Sequence, residues 1–126
     1  MITAVLAIGL LIAAQSSAPP AQAAVSDIDQ DWPEEIVTLI KHSCFDCHSA
    51  DAGNVKAKAA LNFSKWEDYK LTKKISKLTE IGEKVKEKDM PPKKYLEKNP
   101  DAVLSDEEIT LLSTWANAEA DKLMEE

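Results

Sequence analysis

Apolar side chains recur at helical intervals in three stretches of this 126-residue chain, and nowhere alternate for long enough to make a strand. The first stretch opens at Asp31-Trp32-Pro33, a helix start with Pro in the first turn, followed by Glu34 and Glu35, which suit the positive helix end. Ile36, Val37, Leu39 and Ile40 then form one apolar face and carry the chain to Cys44. In the second, Ser64 and Glu67 make an S-x-x-E capping box ahead of Ile75, Leu78, Ile81 and Val85. Asp89-Met90-Pro91-Pro92 must end that helix, because Pro lacks an amide donor and excludes helical geometry just before itself. The third has a second capping box, Ser105 with Glu108, and a stripe of Ile109, Leu112, Trp115 and Ala116. The pattern predicts an all-α fold of three to five short helices.

No charged side chain occurs in the first 24 residues. Ala4 to Ala14 is apolar for eleven residues, about half of the ~20 needed to cross a bilayer. Gln15 to Pro20 and the small-x-small triplet Ala21-Gln22-Ala23 follow. This reads as a secretory signal peptide over 1–23 and a single domain over 24–126. A short uncleaved anchor is the competing reading, since the stretch before Ala4 has no Lys or Arg. The expected location is outside the cytoplasm, in the periplasm of a Gram-negative bacterium, with no stable membrane span in the mature chain.

Composition narrows the classes. The net charge of −7 argues against a nucleic-acid partner. All 15 cationic side chains are Lys; the chain has no Arg and so no bidentate clamp. Three Trp, two Tyr and two Phe are a thin aromatic supply for a small domain, which suggests that something besides side chains completes the core.

Two Cys in an exported chain first suggest a disulfide. Their setting, Cys44-Phe45-Asp46-Cys47-His48, is instead a complete C-x-x-C-H. That spacing suits covalent c-type haem attachment, in which two thiols join the porphyrin's two vinyl groups and the adjacent His ligates the iron. A thioredoxin-like redox pair would want a βαβ pattern that the chain lacks. A structural zinc would need about four ligands, with His42, Cys44, Cys47 and His48 wrapping a tetrahedron within seven residues. A plain disulfide beside an incidental His is the bland alternative.

A six-coordinate iron needs a second donor opposite His48. Met1 would leave with the signal peptide, and Met124 lies two residues from the C-terminus. His42 is too close to Cys44 to pass round the porphyrin, and better suits the carbonyls at the end of the first helix. Met90 remains, 42 residues after His48 in a loop stiffened by two prolines. The alternative is a loop Met packed under the haem edge.

Together, Cys44 to Ser49, Leu61-Asn62-Phe63-Ser64-Lys65-Trp66, Met90-Pro91-Pro92 through Tyr95, Asn99-Pro100 and Leu104 to Trp115 resemble small monohaem c-type cytochromes, and more narrowly the bacterial haem-binding domain family. The resemblance implies a cytochrome c-like bundle around one covalent haem c. Cys44 and Cys47 would carry it, with His48 the proximal and Met90 the distal ligand of its iron. The chain departs from the family pattern between His48 and Leu61, where twelve small, weakly structured residues replace a longer insert with Tyr and Trp.

A His/Met haem has no open position and suits single-electron transfer, so the expectation is an electron carrier rather than an enzyme, serving redox partner proteins. The alternative is a haem-based ligand sensor or peroxidase-like protein with a labile distal Met, for which the chain supplies no Arg and one other His. Charge is segregated: residues 25–55 carry seven acids and one Lys, 56–98 thirteen Lys and seven acids, and 99–126 eight acids and one Lys. Lys84, Lys86, Lys88, Lys93 and Lys94 bracket Met90. They are expected to steer an acidic docking face, against the commoner meaning of a charge run as a solvated surface.

Overall fold

The computed structural model describes Ile28 and residues 31–126, so the signal segment expected over 1–23 lies outside the described residues. Those described form six α-helical segments and no strand: α1 (Glu34–Ser43), α2 (Phe45–His48), α3 (Val55–Ala60), α4 (Leu71–Lys86), α5 (Lys93–Lys98) and α6 (Asp106–Met124). Short 3-10 turns at Phe63–Asp68 and Pro100–Ala102 complete the path. The all-α expectation holds. The described residues form six helical segments where three to five were expected, because the short turns at Phe45–His48, Val55–Ala60 and Lys93–Lys98 have no long apolar stripe to announce them. Among the described residues, no helix is long and apolar enough to cross a membrane.

The long helices follow the stripes read from the sequence. Ile36, Leu39 and Ile40 of α1, and Leu78, Ile81 and Val85 of α4, are buried. In α6 the buried positions are Leu112, Ser113, Ala116 and Ala120, while Ile109 and Trp115 are half-buried. Helices α4 and α6 share the most extensive packing of any pair. Gly82 makes this approach close: a Cβ there would stand 2.7 Å from Asn117 Oδ1. Fully burying one leucine such as Leu78 or Leu112 contributes ~1.5–3 kcal/mol.

Aromatic side chains knit the remaining elements together. Trp32, just ahead of α1, meets Trp66 at 4.9 Å and Trp115 of α6 at 4.7 Å between ring centres, both edge-on. Phe63 lies parallel to Phe45 and edge-on to His48, at 6.2 and 6.5 Å. The scarce aromatics are thus concentrated in one cluster, with Tyr95 placed apart from it.

Helix termini show where local signals were decisive. Ser105 and Glu108 make the expected capping box, the Glu108 amide donating to Ser105 Oγ at 3.1 Å and the Ser105 amide to Glu108 Oε2 at 2.8 Å. The S-x-x-E at Ser64–Glu67 does not cap α4. It lies within a 3-10 turn capped by Asn62, whose side chain accepts from the Ser64 amide, and α4 begins only at Leu71. Asn62 sits two residues upstream of Ser64 and takes that amide first, while Ser64 Oγ turns outward to accept from the Ala50 amide. Helix α4 ends before the prolines act. Lys88 takes a left-handed conformation (φ 60°), the Lys88 amide donates to Val85 and the Asp89 amide to Lys84, a Schellman closure built without glycine.

Candidate functional site

Helix α1 delivers the cysteine pair. The Cys44 amide still donates to the Ile40 carbonyl at 2.9 Å, but its φ/ψ of −120°/−32° leaves the helix. The Cys47 and His48 amides then fold back on the Cys44 carbonyl at 3.2 and 3.0 Å, so the motif is a single helical turn. The end of α1 is tethered across the fold. His42 Nε2 donates to the Asp101 carbonyl at 2.6 Å, and Ser43 Oγ to the Ala102 carbonyl at 2.9 Å. His42 does bind a carbonyl at the helix end, but one supplied by a distant turn.

The short stretch after His48, which looked weakly structured, holds that side chain in place. Asn54 Oδ1 accepts from the Ala57 amide at 3.0 Å and starts α3. The end of α3 presents the carbonyls of Ala57 and Leu61, each 3.0 Å from His48 Nδ1. A carbonyl can only accept, so Nδ1 carries the proton and Nε2 is left as the basic nitrogen. That division is the usual one for a metal-binding histidine.

Two adjoining cavities of about 260 and 240 Å³ share Cys44, His48, Ala60 and Met90 in their walls. Taken together they form one cleft within the ~300–1,000 Å³ typical of small-molecule sites. The outer cavity adds Cys47, Lys56, Pro91, Pro92 and Tyr95; the inner adds Leu61, Phe63, Ile81, Val85 and a charged rim. Met90 reaches the cleft from the end of α4, where its amide donates to the Lys84 carbonyl at 3.2 Å. It is 38% exposed, unlike a methionine packed in the core. Met124, 60% exposed near the end of α6, lines neither cavity.

Both cysteines are free thiols. Burial, then the neighbouring Cys47, pushes the Cys44 thiol up to about 12. Cys47 is also raised, by burial and then by the Asp46 carboxylate. Tyr95 Oη donates to Asp46 Oδ2 at 2.7 Å, linking the segment after Met90 to the middle of the cysteine motif. That hydrogen bond first, then burial and the Asp46 charge, raises the phenol to about 12.

The lysines around Met90 differ in their partners. Lys84 pairs with Asp89 at 3.1 Å and Glu87 at 3.9 Å, and Lys88 with Asp106 at 3.0 Å. The hydrogen bond that Lys84 donates to Asp89, then the charges of Asp89 and Glu87, holds the Lys84 ammonium above its ordinary value. Lys86, Lys93 and Lys94 are exposed and make no ion pair among the described residues.

Two thiols, an imidazole with one basic nitrogen available and a thioether thus surround a mostly apolar cleft. This donor set fits haem, whose iron accepts His and Met ligands. No group of three or more His, Cys, Asp or Glu side chains converges as a metal site among the described residues. A family model for a haem-binding domain matches residues 54–118, just over half of the chain. The chain belongs to the haem-binding domain family. The matched region contains α3, α4, Met90, α5 and the first part of α6, and begins just past the Cys44–His48 turn. The chain matches no curated protein and no solved structure.

Membership supports haem as the ligand, and the structure adds residues around the cleft that the sequence reading left unassigned. The Ala57 and Leu61 carbonyls carry no sequence signal, because any residue supplies a carbonyl. Lys77 and Glu80, which line the inner rim with Lys84, carry no signal that sets them apart from the other charged residues of α4. Tyr95 was legible only as part of a family pattern, and its bond to Asp46 depends on the fold bringing together residues 49 positions apart.

Proposed function

We propose that this haem-binding protein is an exported electron carrier, a monohaem c-type cytochrome that passes single electrons between redox partners and catalyses no reaction of its own. One observation carries the reading: His48, with Nδ1 engaged by two carbonyls, and Met90 line the same two adjoining cavities as Cys44. Cys44 and Cys47 would each add a thiol S–H across a vinyl group, giving two thioethers that fix the cofactor. His48 Nε2 and Met90 Sδ would then be the protein's ligands to its iron. Bound there, haem supplies an iron that changes oxidation state by one electron.

The chain's own residues serve that role without binding a substrate. Phe63, Ile81 and Val85 keep water from the inner cleft. The outer mouth, by Pro91 and Pro92, is where a partner would approach. Lys86, Lys93 and Lys94, free of ion pairs among the described residues, supply positive charge to steer an acidic docking face, an effect that salt screens.

Oxidised and reduced absorption spectra of the matured protein, with its mass, test the reading. A Soret band that survives denaturing extraction, a mass increase of one haem and no carbon monoxide binding to the ferrous form are expected. Met90→Ala should open that position and admit carbon monoxide. A haem extracted by acid acetone, or rapid carbon monoxide binding by the unaltered protein, would overturn the c-type His/Met assignment.

A further inference from the structure

The inner half of the cleft is apolar except along one rim. There α4 contributes Lys77, Glu80 and Lys84, spaced three and four apart and so on one helix face. Lys77 is largely buried, with 18% of its side chain exposed, and its Nζ lies 2.8 Å from Glu80 Oε2. Lys84 reaches the same rim from the end of the helix. Cys47, in contrast, lines only the outer cavity. The cleft therefore has Cys47, with Lys56, at one end and the Lys77, Glu80 and Lys84 cluster at the other, Cys44 being common to both.

Haem has the same polarity. Its vinyl groups lie toward one edge and its two propionate carboxylates toward the opposite edge. A carboxylate brought against Phe63 and Ile81 must find a cation, because an unpaired buried charge is strongly unfavourable. With no Arg in the chain, only Lys can meet that need. We propose that Lys77 and Lys84 form a carboxylate subsite that binds haem propionate. The proposal rests on the haem orientation given by the thioether reading above.

Glu80 shares Lys77, so the rim holds two cations against one anion of its own. The other partners of Lys84, Asp89 and Glu87, are exposed, and such pairs exchange at little cost. Lys77 and Lys84 act as binding and positioning residues, and the iron ligands do not depend on them.

Resonance Raman spectra of the haem-loaded protein report the propionate bending band directly. Lys77→Gln and Lys84→Gln should each move this band to lower frequency, as a propionate loses a hydrogen-bond donor. Lys70→Gln, which removes the same charge at an exposed position away from the cleft, should leave it unmoved. Glu80→Gln should move it the other way by freeing Lys77. If Lys77→Gln does not accumulate, Lys84→Gln and Glu80→Gln decide. A band unmoved in the cleft variants, with haem retained, overturns the subsite alone. A chain without a Soret band overturns the electron-carrier reading and the subsite with it.

Discussion

Replacing Tyr95 with Phe removes one oxygen and isolates the contribution of the Tyr95–Asp46 hydrogen bond. The bond is short, 2.7 Å, and its acceptor is charged. Removing such a bond from a buried site costs ~1.5–3 kcal/mol. Asp46 is exposed, so water replaces the lost donor, and ~1 kcal/mol is the appropriate figure. The loss should fall on α5, a six-residue helix whose other packing runs mainly to the adjoining turn at Pro100–Ala102. A change of ~1 kcal/mol raises the open population of that segment about fivefold. Native-state hydrogen exchange reads it: the α5 amides, such as that of Leu96, should exchange about fivefold faster. Amides in α4 and α6 should keep their rates. Wild-type rates in α5, or equal acceleration everywhere, would refute a local latch.

The same bond has a pH signature. The folded phenol sits at about 12, above the ordinary ~10. Its contribution is therefore fully present below ~10 and is lost as pH rises through about 12. A phenolate absorbance step near 12 should vanish in Tyr95→Phe.

Other substitutions test the frame and the thiols. Ser105→Ala removes one arm of the α6 capping box and should cost ~1 kcal/mol by chemical denaturation. Gly82→Ala brings a Cβ against Asn117, an exposed side chain that can rotate away. The gain in helix propensity should win, for a stabilisation of up to ~1 kcal/mol, and a lower melting temperature would mean that α4 and α6 cannot yield. In the haem-free chain iodoacetamide should modify Cys47 before Cys44, since both thiols are raised and Cys44 lies at about 12. Stability of that chain should fall as pH rises from 9 toward about 12, because the unfolded thiol ionises first. On the thioether reading, the haem-loaded protein loses both behaviours.

The three apolar stripes were legible because each long helix buries one face, and Ser105 with Glu108 announced α6 without ambiguity. The four candidate site residues were legible as types: two thiols, an adjacent imidazole and a lone thioether between helices. What escaped the sequence was competition and distance. Asn62 takes the Ser64 amide that the Glu67 carboxylate was expected to serve, and nothing in S-x-x-E reveals that rivalry. Gly or Asn is the usual expectation where a helix must turn left-handed, yet Lys88 makes the turn, and a lysine there reads as surface charge. The His48 acceptors are main-chain atoms, invisible in any alphabet of side chains.

That last feature sets how the segment can vary. Because the imidazole is gripped by main-chain carbonyls, the identities of Ala57 and Leu61 matter to that grip only through the backbone they carry, provided Asn54 still starts the helix and it ends on time. The number of residues in the segment is not free. One residue added or removed between Asn54 and Leu61 rotates the helix by about 100° and swings both acceptors away from Nδ1. Divergence in this loop should therefore accumulate by substitution, while changes in its length demand a new means of holding the histidine.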